Sequence, residues 1–152
     1  MRRLALLPLI ALSLLPACNG EDAPSKQEFA DEAEKICTQA QKELRDIGEG
    51  AQSPEELAGV VGKVVERVQQ SVDELGDLRR PEGQAGETAE RFVNAVERDL
   101  EDRGIPALEE FRDAIEASDR QAAEQALQKL QAIDESNTDE LAREVGAPDC
   151  GE

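Results

Sequence analysis

The sequence contains no histidine, no tryptophan and no tyrosine, and only three of its 152 residues are phenylalanine. Without histidine, the usual ligand sets for zinc, copper and non-haem iron cannot be assembled. The commonest general base of enzymes is missing for the same reason. The lack of tryptophan and tyrosine leaves little aromatic surface for stacking a sugar or a nucleotide. We therefore expect no catalytic site, no cofactor and no metal site, and we predict that the protein is not an enzyme.

Basic side chains are also scarce. The 17 lysines and arginines are outnumbered by 35 acidic residues, which gives a formal net charge of −18. Such a surface repels nucleic acid and anionic lipid, so we expect no nucleic-acid partner. High charge with few large aliphatic residues is typical of disordered chains, whereas abundant Ala, Glu and Leu are typical of long helices. The spacing of the apolar residues must decide between these two interpretations.

The first 17 residues have the pattern of an export signal. Two arginines precede the apolar run 4–15, which is too short to cross a bilayer as a stable helix. The run leads into Leu-Pro-Ala-Cys at 15–18, which resembles the lipobox of bacterial lipoproteins. The resemblance implies cleavage before Cys18 and a diacylglycerol on the Cys18 sulfur, since two or more acyl chains hold a protein stably at a membrane. The alternative is an ordinary secretory signal followed by a chance cysteine.

We accordingly divide the chain into three parts. Residues 1–17 are the predicted lipoprotein signal peptide, and 18–25 are the lipidated cysteine with a short polar tether. Residues 26–152 are the predicted folded domain. We expect the protein in the bacterial cell envelope, outside the cytoplasm and anchored to the membrane through acyl chains such as palmitate on Cys18.

Two further cysteines, Cys37 and Cys150, remain once Cys18 carries the lipid. An even pair in an oxidising compartment predicts a disulfide. The absence of a Cys-x-x-Cys spacing predicts that this bond is structural and not a redox centre. The alternative is two unpaired thiols, one of them buried.

Apolar residues recur at helical spacing in four segments, and no segment alternates with the period of a strand. The first helix begins at a capping box of Ser25 and Glu28 and ends at the glycines of 48–50. The second begins at a capping box of Ser53 and Glu56 and ends before a proline at 81. The buried face of the second helix is predicted to consist of Leu57, Val60, Val61, Val64, Val65, Val68, Val72, Leu75 and Leu78.

The third and fourth helices are less regular. The third begins between Pro81 and Thr88, because two glycines weaken its first turns. Its apolar stripe keeps its phase through Pro106, which predicts one long helix kinked near 104–106; a true break there is the alternative. The fourth begins at 118 or 119 and continues to Val145. Asn137 lies on its apolar seam, and 136–138 is where this helix could break.

Four helices joined by short loops predict an all-α fold, an up-down-up-down antiparallel four-helix bundle. In that topology the end of the fourth helix lies beside the first helix, which brings Cys150 close to Cys37. We expect the two α-carbons to lie within about 7 Å of each other. The predicted core includes the three phenylalanines, Phe29, Phe92 and Phe111.

Carboxylates also recur at helical spacing and could hold Ca²⁺ or Mg²⁺ loosely. They lack the histidines of a ferritin-like di-iron site, and a solvated acidic face is the simpler interpretation. These groups are Glu97 with Glu101, Asp99 with Asp102, Glu109 and Glu110 with Asp113, and Glu135 with Asp139.

The chain resembles the small helical lipoproteins of actinobacteria that carry two cysteines beyond the lipobox. The resemblance rests on Ile-Cys-Thr-Gln-Ala at 36–40, Leu-Gly-Asp-Leu-Arg-Arg-Pro at 75–81 and the segment 142–150. It implies architecture and location, and no activity. We predict a non-enzymatic interaction or envelope-structural module with an unidentified protein partner. The alternative is a cation- or small-ligand-binding lipoprotein that serves a transporter or sensor. An exposed apolar patch would favour the module, whereas converging carboxylates or an enclosed pocket would favour the alternative.

Overall fold

The computed structural model describes residues 22–48, 51–133 and 137–151, so the predicted signal peptide and Cys18 lie outside the described residues. In these ranges every regular element is helical, which confirms the predicted all-α class. No helix in this part of the chain is long and apolar enough to cross a membrane. The elements are α1 (Lys26–Gly48), α2 (Pro54–Asp77), α3 (Gly83–Asp99), a π-helical turn (Leu100–Gly104), α4 (Ile105–Glu116), α5 (Arg120–Gln131), α6 (Thr138–Val145) and a 3-10 turn (Pro148–Gly151).

The first two helices begin where their capping boxes predict. At α1 the Glu28 N–H donates to Ser25 Oγ at 3.2 Å, and the Ser25 N–H donates to a Glu28 carboxylate oxygen at 2.7 Å. At α2 the same reciprocal bonds join Ser53 and Glu56 at 3.2 Å and 3.1 Å. Each box satisfies backbone N–H groups that have no partner inside the helix, which fixes where the helix begins.

The third predicted helix is continuous from Gly83 to Glu116, so the chain does not break at Pro106. The irregularity is the π-helical turn, in which the Ile105 N–H donates to the Leu100 carbonyl five residues earlier. Proline has no N–H, and its ring crowds the carbonyl four residues before it. The widened turn just before Pro106 lets the helix continue into the proline.

The start of α3 depends on two glycines that lower its helix propensity. Gly83, the first residue of α3, has a positive φ of 63°, which an L side chain rarely adopts. Gly86 lies so close to Pro81 that a Cβ atom on it would be 2.1 Å from the Pro81 carbonyl oxygen. The turn between α2 and α3 therefore requires both glycines.

The fourth predicted helix is not continuous. Helix α5 ends at Gln131, Ala132 and Ile133 form a turn, and α6 begins at Thr138. Asn137 is exposed and precedes α6, so its predicted place on the buried seam is wrong. The interruption changes which residues face the core, because it presents Thr138 and not Asn137 to the interior.

The core cluster that holds the largest buried side chains lies toward one end of the domain, which we call the proximal end because residues 22–25 enter the fold there. Here α6 packs on α3, and the 3-10 turn packs on α1. The largest fully buried side chains are Phe29, Val72, Phe92 and Val93, all in the cluster at this end. Two of the three phenylalanines are thus core residues as predicted, whereas Phe111 is only half-buried.

The opposite, distal end contains the connections between α1 and α2 and between α4 and α5. Here α1 packs on α2, α2 packs on α4, and α4 packs on α5. Within the described residues α5 does not pack extensively against α1 or α2, so at this end the helices form a row, whereas α1, α2, α3 and α6 share one core cluster at the proximal end. Since α1 has 23 residues, the two ends are separated by about 34 Å at 1.5 Å per residue.

Candidate binding groove at the distal end

A groove of about 500 Å³ opens at the distal end, between the first turns of α2 and the connection from α4 to α5. Its walls come from both helix connections, so it exists only because the chain brings these two corners together. We call it the distal groove. Its apolar lining consists of Ala51, Pro54, Leu57, Ala114, Ile115 and Ala123.

Large apolar side chains are unusually exposed near this end. Leu57, in the wall of the distal groove, is 36% exposed, and Leu127 on α5 is 42% exposed. The apolar stripe of α2 predicts that Leu57 and Leu75 are both buried. Leu75 is buried, with only 3% of it exposed, whereas Leu57 is not. The difference follows from the open row of helices, because nothing among the described residues covers the start of the α2 stripe as α6 and α3 cover the proximal core.

The corner between α4 and α5 holds one wall of the groove in place. Ser118 has a φ of 57°, and it is the one non-glycine residue with positive φ in the described ranges. The Asp119 N–H donates to the Ala114 carbonyl at 2.9 Å, and the Ser118 N–H donates to the Ile115 carbonyl at 3.0 Å. This pair of bonds is the Schellman arrangement that ends many helices, and its left-handed position is usually glycine.

Two polar side chains of the groove wall cap helices, and Arg120 also lines the groove. Ser53 Oγ accepts from the Glu56 N–H at 3.2 Å, and an Asp119 carboxylate oxygen accepts from the Ala122 N–H at 3.0 Å. These bonds satisfy the first turns of α2 and α5. The distal groove therefore offers mainly apolar contact, bordered by the ends of helices.

A second cleft between α1 and α2 contains a buried arginine that the sequence analysis did not predict. Arg67 is only 6% exposed; it pairs with Glu43 and donates to Ser71 Oγ at 2.8 Å. The hydrogen bond from Gln39 is the largest cause of a lowered pKa of the Glu43 carboxyl; desolvation opposes it, and the hydrogen bond and charge of Arg67 lower the pKa further. Glu74 lies 3.8 Å from the same guanidinium. Since two carboxylates neutralise Arg67, the cluster joins α1 to α2 and leaves no charge to bind an anion. The sequence feature that could have indicated this cluster is Ser71, which lies four residues after Arg67 and so one helical turn along the same face.

The structure brings the two predicted disulfide residues together. The α-carbons of Cys37 and Cys150 are 5.1 Å apart and their sulfurs are at bonding distance, so the expected separation is confirmed. The bond attaches the 3-10 turn to the middle of α1. Around it, Gln41 Nε2 donates to the Asp149 carbonyl at 2.5 Å, and the Asp149 N–H donates to Glu34 at 3.3 Å.

The acidic groups predicted to form a solvated face do so only in part. Asp99 is 4% exposed and accepts hydrogen bonds from Thr138 and Arg103, so it is a buried structural carboxylate. Glu135, which was paired with Asp139 in the sequence analysis, lies outside the described residues. Among the described residues, no group of three or more Cys, Asp or Glu side chains is placed to hold a metal ion.

Comparison of the chain with models of protein families, with curated proteins and with solved structures found no match.

Proposed function

We propose that this protein is a lipid-anchored interaction module of the bacterial cell envelope, and that the distal groove is where it contacts a protein partner. In this proposal the signal peptide 1–17 is removed and Cys18 carries the lipid. The observation that carries the proposal is the placement of the groove. The chain enters the fold at the proximal end, and the exposed apolar wall lies about 34 Å away, one full length of α1.

This placement suits a module that projects from a membrane. The proximal half, nearest the anchor, is covered by α6, and the disulfide between Cys37 and Cys150 attaches the C-terminal turn to the middle of α1. The distal end is open, and Leu57, one of the two large apolar side chains exposed in the described part of the chain, lines its groove. Exposed apolar surface bordered by polar residues is typical of a protein-interaction site.

We also propose that the domain is an up-down-up-down four-helix bundle with an interrupted fourth helix. Helix α3, the π-helical turn and α4 serve as the third helix, and α5 with α6 serves as the fourth. The contacts of α4 with α5 and of α3 with α6 support this arrangement. In an antiparallel pair, the first half of the fourth helix lies beside the second half of the third, and its second half lies beside the first half of the third.

Two measurements in producing cells test the proposal. The first is membrane fractionation of the parent and of Cys18→Ala, which should be released from the membrane fraction or remain an unprocessed precursor. If the variant fractionates and migrates like the parent, the lipid anchor is absent.

The second measurement places a photo-cross-linking residue at position 57, in the groove, or at position 84, which is exposed at the start of α3. We expect a discrete protein adduct from position 57 and none from position 84. If Cys18→Ala is released from the membrane, the adduct should also disappear in that background, because the module is then no longer held beside its partner. Equal labelling from both positions would show that the groove has no partner in the envelope.

A further inference from the structure

The cleft beside the distal groove carries acidic side chains, whereas the two charged residues that line the groove itself, Asp119 and Arg120, balance each other. Glu55 in the first turn of α2 and Glu116 in the last turn of α4 line a neighbouring cleft of the same end and are exposed. Within the described residues neither has an ion-pair or hydrogen-bond partner. Asp113 lies in the same cleft and pairs with Arg112 of its own helix. Two unpaired carboxylates therefore remain beside an apolar opening.

The last turn of α4 adds to the negative potential of this cleft. The last turn of α4 contains no basic residue, although its carbonyl groups make this end of the helix negative. Glu116 adds a carboxylate to that end, where a lysine or arginine would be the stabilising choice. Because α4 is packed on α2, this negative end lies beside the first turn of α2, where Glu55 and Glu56 offset the positive N-terminal end of that helix.

This charge pattern selects among the molecules that could occupy an apolar groove. A second copy of the chain would place one acidic border against another, and each copy carries a net charge of −18. An anionic lipid surface is repelled for the same reason. A segment with aliphatic side chains flanked by lysine or arginine would bury its apolar atoms in the groove and place its cations beside Glu55 and Glu116.

We infer that the occupant of the distal groove is a basic amphipathic segment of a protein partner. The aliphatic side chains of this segment contact Leu57 and Ile115, and its cationic side chains pair with the carboxylates of Glu55 and Glu116. This inference rests on the proposed function, because it gives the chemistry of the partner that the groove would hold.

Two synthetic helical peptides test the inference. One has leucine at helical spacing with lysine elsewhere, and the other has the same leucines with glutamate in place of lysine. The full-length lipidated protein is held in phosphatidylcholine nanodiscs, and peptide binding is measured by fluorescence anisotropy at about 0.15 M salt with empty discs subtracted. We expect saturable binding of the Leu/Lys peptide and at least tenfold weaker binding of the Leu/Glu peptide. Comparable affinity for the two peptides would overturn the inference.

The variant Leu57→Asp separates the groove from general attraction between opposite charges. It adds one negative charge, so it would strengthen a purely electrostatic association with the Leu/Lys peptide. We expect it to weaken binding about tenfold or more, because an aliphatic contact of the groove is lost. Unchanged or tighter binding would overturn the inference. Helical content measured by circular dichroism should match that of the parent, since Leu57 is already partly exposed.

A matched pair of double variants tests the acidic border. Glu55→Gln with Glu116→Gln should weaken Leu/Lys binding about three- to tenfold, as expected for two exposed ion pairs. Glu32→Gln with Glu87→Gln removes the same charge from exposed positions near the proximal end and should have little effect. Equal losses from both double variants would show that net charge alone attracts the peptide. If position 57 cross-links a protein in cells but the basic peptide binds no better than the acidic one, the proposed function stands and this inference is rejected.

Discussion

Thr138 Oγ1 donates a 2.6 Å hydrogen bond to Asp99 Oδ2 and so joins the first residue of α6 to the last residue of α3. Both side chains are buried, with exposed fractions of 9% and 4%. Arg103 donates to the other carboxylate oxygen of Asp99 at 3.1 Å and to the Ala132 carbonyl at 3.1 Å. The cluster therefore connects the π-helical turn to the end of α5 and the start of α6, where the fourth helix is interrupted.

Replacing Thr138 should destabilise the fold more than the small size of its side chain suggests. The variant Thr138→Val keeps the shape of the side chain but removes a donor from a buried carboxylate, which costs about 1–3 kcal/mol. The measurement is the free energy of unfolding in urea. The control is Thr38→Val, because Thr38 donates to Asp149 at 3.3 Å on the exposed surface. The control should change stability by no more than about 0.5 kcal/mol. Equal losses from the two variants would show that the Asp99 cluster is not needed to hold α6.

The parts of the fold that were predictable from sequence depend on neighbours a few residues apart. Both capping boxes use residues three positions apart, and both are present at α1 and α2. The helix through Pro106 was predictable because its apolar stripe keeps one phase on both sides of the proline. The apolar stripe of the fourth helix left open whether the helix is interrupted near 136–138, since the placement of α6 depends on a partner distant in sequence, namely buried Asp99.

The candidate groove was not predictable for a related reason. Leu57 and Leu75 belong to one apolar stripe on α2, so periodicity assigns both to the same buried face. Whether another helix covers each of them depends on the path of α5 and α6. Helix α5 packs on α4, which leaves Leu57 partly exposed, whereas Leu75 lies in the core cluster with α3 and α6. No spacing within α2 distinguishes the two leucines.

Loss of the disulfide should lower stability strongly. Cys37 and Cys150 are separated by 113 positions in the chain. A bond across so long a loop restrains the unfolded chain by about 4–5 kcal/mol on a chain-entropy estimate. We expect the double variant Cys37→Ala with Cys150→Ala to unfold at a much lower urea concentration than the oxidised parent. Dithiothreitol should move the parent to a similar midpoint and leave the double variant unmoved. A parent midpoint that is insensitive to the reductant would refute this account.

The capping box of α1 should contribute to the acid sensitivity of the fold. The pKa of Glu28 is lowered from 4.5, first by the hydrogen bond from the Ser25 backbone N–H and second by the Ser25 hydroxyl. A carboxyl with a lower pKa in the folded state stabilises the fold above its unfolded pKa. That contribution is lost as the pH falls through the folded pKa.

The variant Glu28→Gln keeps a capping side chain but removes this titration. Its urea midpoint should therefore fall less steeply than that of the parent between about pH 5 and pH 3. Glu32→Gln removes an exposed carboxylate of the same helix that caps no backbone group in the described structure, and it should keep the slope of the parent. If Glu28→Gln also keeps that slope, the box does not titrate with folding.

Relieving the backbone strain at the edge of the distal groove should stabilise the protein. Ser118 occupies the left-handed position of the Schellman turn with a φ of 57°, where a side chain crowds the following carbonyl. The variant Ser118→Gly removes this crowding. Glycine also gives the unfolded chain more conformational entropy, which offsets part of the benefit, so we expect a net gain in stability of about 0.5–1 kcal/mol. The variant Ser118→Ala keeps the Cβ atom and should stay within about 0.5 kcal/mol of the parent. Unfolding in urea measures both variants. Backbone hydrogen bonds at Ile115 and Asp119 hold the turn on both sides of Ser118, so the gain in stability should come from residue 118 alone. A glycine variant no more stable than the alanine variant would mean that Ser118 does not hold the left-handed conformation in solution.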